Sequence, residues 1–215
     1  MQIKTLTGNL VQYNYQENRD YTTVSDRFLK NTLVALDFMV KHSLLTITYQ
    51  DEDDLKKVDV IDTLLADTVN SIIIVFATKN TYTPSLNRVT FYDTHGVSFR
   101  KNHKKQWFKR NRGYNSPIAL FSHELIHCYN ELHETEDYHH RKQDHSSRGK
   151  KIDHDGHDLS FPNAEEVFVI KMTNQIAKRL GEDKRSNYGR GYYPTVGVLS
   201  TKKKTLFNKF SNKRR

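Results

Sequence analysis

His123-Glu124-Leu125-Ile126-His127 is the segment of this chain best equipped for chemistry. Histidines four positions apart on an α-helix point both imidazoles to one side, where they can share a metal ion. A glutamate directly after the first histidine reaches a water on that metal. Zinc brings the pKa of such a water toward neutrality, and the carboxylate takes its proton as the water attacks a carbonyl. The spacing therefore predicts metal-assisted hydrolysis, with His123 and His127 as zinc ligands and Glu124 as general base.

A site of this kind needs a third protein ligand and leaves the fourth position for water. Two residues compete. His133 completes His123-Glu124-x-x-His127-x-x-Asn130-x-x-His133, the metzincin spacing with Asn where that class has Gly. This choice requires the helix to break at Asn130, which can adopt a left-handed turn. Glu166 is the alternative. On a helical wheel of residues 165–180, Val169, Ile170, Ile176, Ala177 and Leu180 share one face. Glu166 falls inside that face and Glu165 at its edge. A carboxylate on an inward face needs a partner, and a metal is one. The purely structural account of Glu166 is a capping box, Asn163-x-x-Glu166, at a helix start.

The elements that must position these groups are legible in outline. Ser116-Pro117 predicts a helix start, with Ser as cap and Pro at the first helical position. That helix runs to about Leu132, with Phe121, Leu125, Cys128 and Leu132 on the face opposite the two histidines. Phe161-Pro162-Asn163 opens a second helix that ends at Leu180-Gly181. Between them, residues 134–159 read as a long polar loop. Its His139, His140, His145, His154 and His157 fit a solvated loop better than a second metal site. Earlier, Ser25 caps a helix striped by Phe28, Leu29, Thr32, Leu33, Leu36 and Val40. Leu44 to Tyr49 and Ser71 to Thr78 read as strands separated by the acidic turn at Asp51 to Asp54. Arg88 to Phe99 reads as a hairpin turning at Asp93-Thr94-His95-Gly96. Residues 1–23 and the stretch after Tyr193 read as irregular.

The sequence holds 215 residues, enough for one domain with a real core, and 11% aromatics, too many for a disordered chain. The single cysteine, Cys128, precludes an intrachain disulfide. No basic-then-apolar leader and no apolar run of membrane-spanning length is present. The net charge is +9. Much of the excess sits in two runs, Lys101 to Arg112 and Lys202 to Arg215, read as a solvated loop and a tail. The rival reading is a basic nucleic-acid-binding protein that stacks bases on Trp107 and Phe108 within the first run.

Taken in order, Ser116-Pro117-Ile118-Ala119-Leu120, His123-Glu124-Leu125-Ile126-His127, Glu165-Glu166, Asn174-Gln175 and Arg185-x-x-Tyr188 resemble the NleD-like zinc metallopeptidases. These are type III secretion effectors of bacterial pathogens. The pattern is also similar to the light chains of clostridial neurotoxins. The resemblance covers Arg88 to Tyr188. It implies Glu166 as the third zinc ligand, and Arg185 and Tyr188 as residues that face the metal and stabilise the oxyanion. Without it, Arg185 and Tyr188 read as an exposed loop pair. It departs from the family after the glutamate pair, where Val169 and Lys171 stand in place of Thr and Gly.

The expected fold is α+β: a zincin-like metallopeptidase domain over residues 24–193, with a small twisted sheet, an active-site helix and a second ligand helix. A flexible segment suited to a secretion signal precedes it (1–23), and a basic tail follows (194–215). The expected function is a zinc endopeptidase, monomeric, free of nucleic acid and membrane, and secreted into a host cell. Its protein substrate there would be a signalling protein, with mitogen-activated protein kinases as the family's targets. The metzincin-like peptidase using His133 is the alternative.

Overall fold

Ile3 is fully buried between polar neighbours, and that one side chain anchors the start of the fold. The computed structural model describes residues 1–51, 53–101, 112–152 and 158–204. Trp107, Phe108, His154, His157 and the tail from Thr205 onward, all named above, lie outside the described residues. Strands β1 (Gln2–Lys4) and β2 (Leu10–Gln12) pair antiparallel, and β1 then lies parallel to a later strand. Residues 1–23, expected to be mostly irregular, hold these two short strands. Strands of three residues leave no period to read.

Helix α1 (Arg27–Lys41) is capped by Asp26, whose carboxylate accepts from Leu29 N at 2.8 Å, one residue after the expected Ser25. Its stripe, Phe28, Leu33, Leu36 and Met39, enters the core. The hairpin of β3 (Thr46–Asp51) and β4 (Asp54–Asp59) follows and leads into α2 (Val60–Ala66). Strands β5 (Ile73–Phe76), β6 (Thr81–Thr83) and β7 (Arg88–Phe91) complete a five-stranded sheet in the order β2-β1-β5-β7-β6. Strands β1, β5 and β7 run parallel, and β6 closes one edge antiparallel.

The Arg88 to Phe99 hairpin does not form. Strand β8 (His95–Arg100) leaves β7 and joins a different sheet, between β9 (Arg112–Asn115) and β10 (Arg190–Pro194). The reason lies at the presumed turn. Asp93 is fully buried and accepts from Arg27 Nη1 at 2.5 Å and Asn31 Nδ2 at 2.6 Å, so α1 pins the chain between sheets. Gly96 lets β8 pass close to β9, since a Cβ there would stand 2.4 Å from the Asn115 carbonyl oxygen.

Helix α3 (Pro117–His133) follows β9. It is buried on all sides through Asn130, rather than amphipathic with a solvated front. Phe121 stacks on Phe91 of the sheet at 4.3 Å and 10°, while Leu125, Ile126 and Cys128 fill the same core. Residues expected to be loop form α4 (Thr135–Gln143), whose one fully inward side chain is Tyr138. Helix α5 (Ala164–Arg179) is capped by Asn163 and followed by Gly181 at φ 68°, as the sequence predicts. Five α-helices and three sheets among the described residues make the chain α+β. No described helix is long and apolar enough to cross a membrane.

Candidate metal centre

Helices α3 and α5 press together along a seam that carries His123, His127 and Glu166. The three side chains are 2%, 3% and 9% exposed, and their donor atoms converge. The two Nε2 atoms stand 3.2 Å apart. Glu166 brings Oε2 to 3.3 Å from His123 Nε2 and Oε1 to 3.4 Å from His127 Nε2. Ligands about 2.05 Å from one tetrahedral ion would be separated by about 3.3 Å, so the three groups fit a metal. Glu166 Oε2 has no hydrogen-bond partner despite its burial, and a cation bound by the three groups would satisfy it.

The surroundings fix which nitrogen of each imidazole is available. Thr173 Oγ1 lies 3.2 Å from His123 Nδ1 and donates its own proton to the Val169 carbonyl at 2.8 Å. The hydroxyl therefore accepts from Nδ1, and Nε2 of His123 is left bare. His127 Nδ1 donates to Glu165 Oε1 at 3.0 Å, which does the same for its Nε2. Glu165, fully buried, is held in turn by Asn130 Nδ2 at 2.8 Å and Arg141 Nε at 2.6 Å. Partners of this kind orient ligands and raise their basicity. Thr173 supplies the support that Val169 cannot, one helical turn further along α5.

Burial dominates the proton chemistry. It pushes His123 down to about 4. It pulls on His127 too, but hydrogen bonds to Glu165 and Glu166 overcome it and hold that residue at about 9. Burial also opposes the charge of Glu166, yet the two imidazoles hold it well below the usual carboxylate range. A metal binding His127 would therefore have to displace a proton from its Nε2, leaving that atom bare as a ligand. Glu124, 5% exposed, is pushed up to about 7 by burial.

His133 is elsewhere. The helix runs through Asn130 without a break, and His133 stacks on Tyr129 and lies 3.5 Å from Asp67. The metzincin-type ligand set is not assembled. The exposed-pair reading of Arg185 and Tyr188 is also corrected. Arg185 is 3% exposed, and Asn174 clamps its backbone, accepting from its N–H at 2.7 Å and donating to its carbonyl at 2.8 Å. Its Nε is buried without a partner, and Glu166 lies within electrostatic reach. Burial raises the Tyr188 hydroxyl, and Glu124 and Glu166 add to the rise.

Sequence reasoning missed Thr173, Asn130, Arg141 and Arg190. The first two carried a signal: Thr173 falls seven residues after Glu166, and Asn130 seven after His123, each on the ligand face of its helix. Arg190 carried one as well, since Tyr188-x-Arg190-x-Tyr192 share a face if extended, whereas Arg141 carried none. Of the loop histidines, His139, His140 and His145 are exposed, and among the described residues only His123, His127 and Glu166 form a metal-type cluster. No known family model, curated protein or solved structure matches the chain.

Proposed function

We propose that this protein is a zinc-dependent endopeptidase of zincin-like architecture. The convergence of two bare Nε2 atoms and an unpartnered Glu166 oxygen on one point, with Glu124 beside them, carries the reading. Two imidazoles and one carboxylate with room for water are the donor set of catalytic zinc. A zinc ion held by His123, His127 and Glu166 would supply Lewis acidity to the scissile carbonyl and to a water molecule. Glu124, poised near neutrality, takes the proton of the attacking water and delivers it to the leaving amine nitrogen. Arg185 Nε offers an uncommitted donor to the carbonyl oxygen as it gains charge, and the Tyr188 hydroxyl is the second.

The motif order extends the reading to the NleD-like family, and with it to delivery into a host cell and cleavage of a host signalling protein such as a mitogen-activated protein kinase. The experiment pairs elemental analysis with a proteome-derived peptide digest. About one zinc per chain is expected, with cleavage that stops in a chelator and in Glu124→Gln. Purified protein that takes up no zinc, or loaded protein that cuts no peptide, overturns the reading.

A further inference from the structure

Two arginines lie over the ring of Tyr188. Arg185 stands 5.9 Å from the ring centroid and Arg190 5.2 Å, and Arg190 also lies 5.8 Å from the ring of Tyr192. The two guanidiniums differ in what they face. Arg185 is enclosed and anchored through Asn174. Arg190 is partly exposed, at the first position of the edge strand β10, where its backbone pairs with Phe99.

Arg190 comes within electrostatic reach of both Glu124 and Glu166. Its charge is therefore felt at the candidate metal centre, and through Tyr188 it shares a ring with Arg185. No described carboxylate stands within ion-pair distance of it, and its neighbours are the faces of two tyrosines. Aromatic faces hold a guanidinium in place by cation–π attraction while leaving its N–H donors at the rim unused. Glu166 is committed to the metal position, and Glu124 must exchange protons. The substrate cleft implied by the peptidase reading thus holds two close cations with no described carboxylate free to pair with them.

We propose that Arg190 is the specificity-determining residue of the cleft and receives an anionic side chain of the polypeptide, a carboxylate or a phosphomonoester, beside the scissile peptide. The inference rests on the peptidase reading above. A planar guanidinium fixed between rings presents a fork that matches either anion in bidentate fashion. Its place on β10 sets the anion a short distance from the bond to be cut.

The test uses full-length, zinc-loaded protein and two readouts. Cleavage-site profiling of a peptide digest should show Asp or Glu enriched at one position flanking the cut. The effect of exchanging that residue for Gln should be roughly 10- to 100-fold and fall mainly on KM. Peptides carrying phosphoserine or Glu at that position distinguish the two anions. Arg190→Gln should flatten the preference, Arg190→Lys should restore part of it, and Arg190→Glu should turn it toward Lys. A purely structural role would not exchange the preferred charge. Arg190→Gln gives the same comparison if the reversal does not fold. Binding of the same peptides to Glu124→Gln protein, followed by fluorescence anisotropy, reads the contact without turnover. Charge-dependent binding lost in Arg190→Gln supports Arg190 even if nothing is cleaved, and then only the peptidase reading falls. Cleavage or binding indifferent to substrate charge overturns the role of Arg190.

Discussion

Arg141 Nε donates to Glu165 Oε2 over 2.6 Å, and the other oxygen of the same carboxylate accepts from His127 Nδ1 at 3.0 Å. A helix that contributes no ligand thus orients one. Arg141→Gln and Glu165→Gln should each weaken metal affinity by about 10- to 100-fold, the usual effect of removing a ligand's support. Competition against a chromogenic chelator measures this. Unchanged affinity in both variants would remove the Glu165 relay from the description of the site.

Glu166→Ala should lose the metal outright, whereas His133→Ala should keep it. His133 contacts Asp67 at 3.5 Å and belongs to no metal-type cluster, so its removal leaves His123, His127 and Glu166 in place. The two variants titrated in one buffer decide the matter, and the reverse ranking would reinstate the metzincin-type ligand set.

Glu124 has a folded-state pKa of about 7, raised above its unfolded value by burial. Folding therefore favours its protonated form. In metal-free protein the penalty is absent below the unfolded value of about 4.3 and grows until pH passes the folded value. Glu124→Gln should match the parent in stability at pH 4 and exceed it at pH 8, by at most on the order of 3 kcal/mol. Thermal denaturation of both metal-free proteins across this range is the check, and parallel curves would mean that Glu124 is solvated.

Tyr188→Phe and Arg185→Ala should each lower kcat by about 10- to 1,000-fold while zinc content holds, because their donors serve developing charge. The clamp of Asn174 on the backbone of residue 185 should keep the loop in place when the side chain is removed. Loss of metal or of thermal stability in step with activity would assign the pair to structure.

The parts of this architecture that could be read from the sequence are those governed by neighbours along the chain. Pro117 at a first helical position, Asn163 as a cap and Gly181 at a helix end are local rules, and α3 and α5 follow them. His123, His127 and Glu166 were legible because helical periodicity places a side chain without knowledge of its partner. Pairing between strands has no such local signature. Arg88 to Phe99 has the pattern of a hairpin, and only the distant Arg27 and Asn31, which bind Asp93, send β8 to another sheet. Helix α4 was hidden because its nine residues bury little beyond Tyr138. Arg190 has tyrosines two residues before and two after it, which an extended strand places on one face, but residues 190–194 do not read as a strand until their partner β8 is known.

Strand β1 lies inside the larger sheet, with β2 on one side and β5 on the other. Force applied to the backbone ahead of Gln2 therefore loads two ladders at once, one antiparallel and one parallel, and Ile3 leaves the core with them. Force applied beyond Ser200 meets Val198 first, buried in the core with its carbonyl accepting from Ile118 N, and only then β10, which is held along one edge, by β8. The molecule is mechanically asymmetric. A motor that threads it from the front must first break the sheet that backs α3, whereas one that pulls from behind must draw Val198 off the start of α3 before it peels away the strand carrying Arg190.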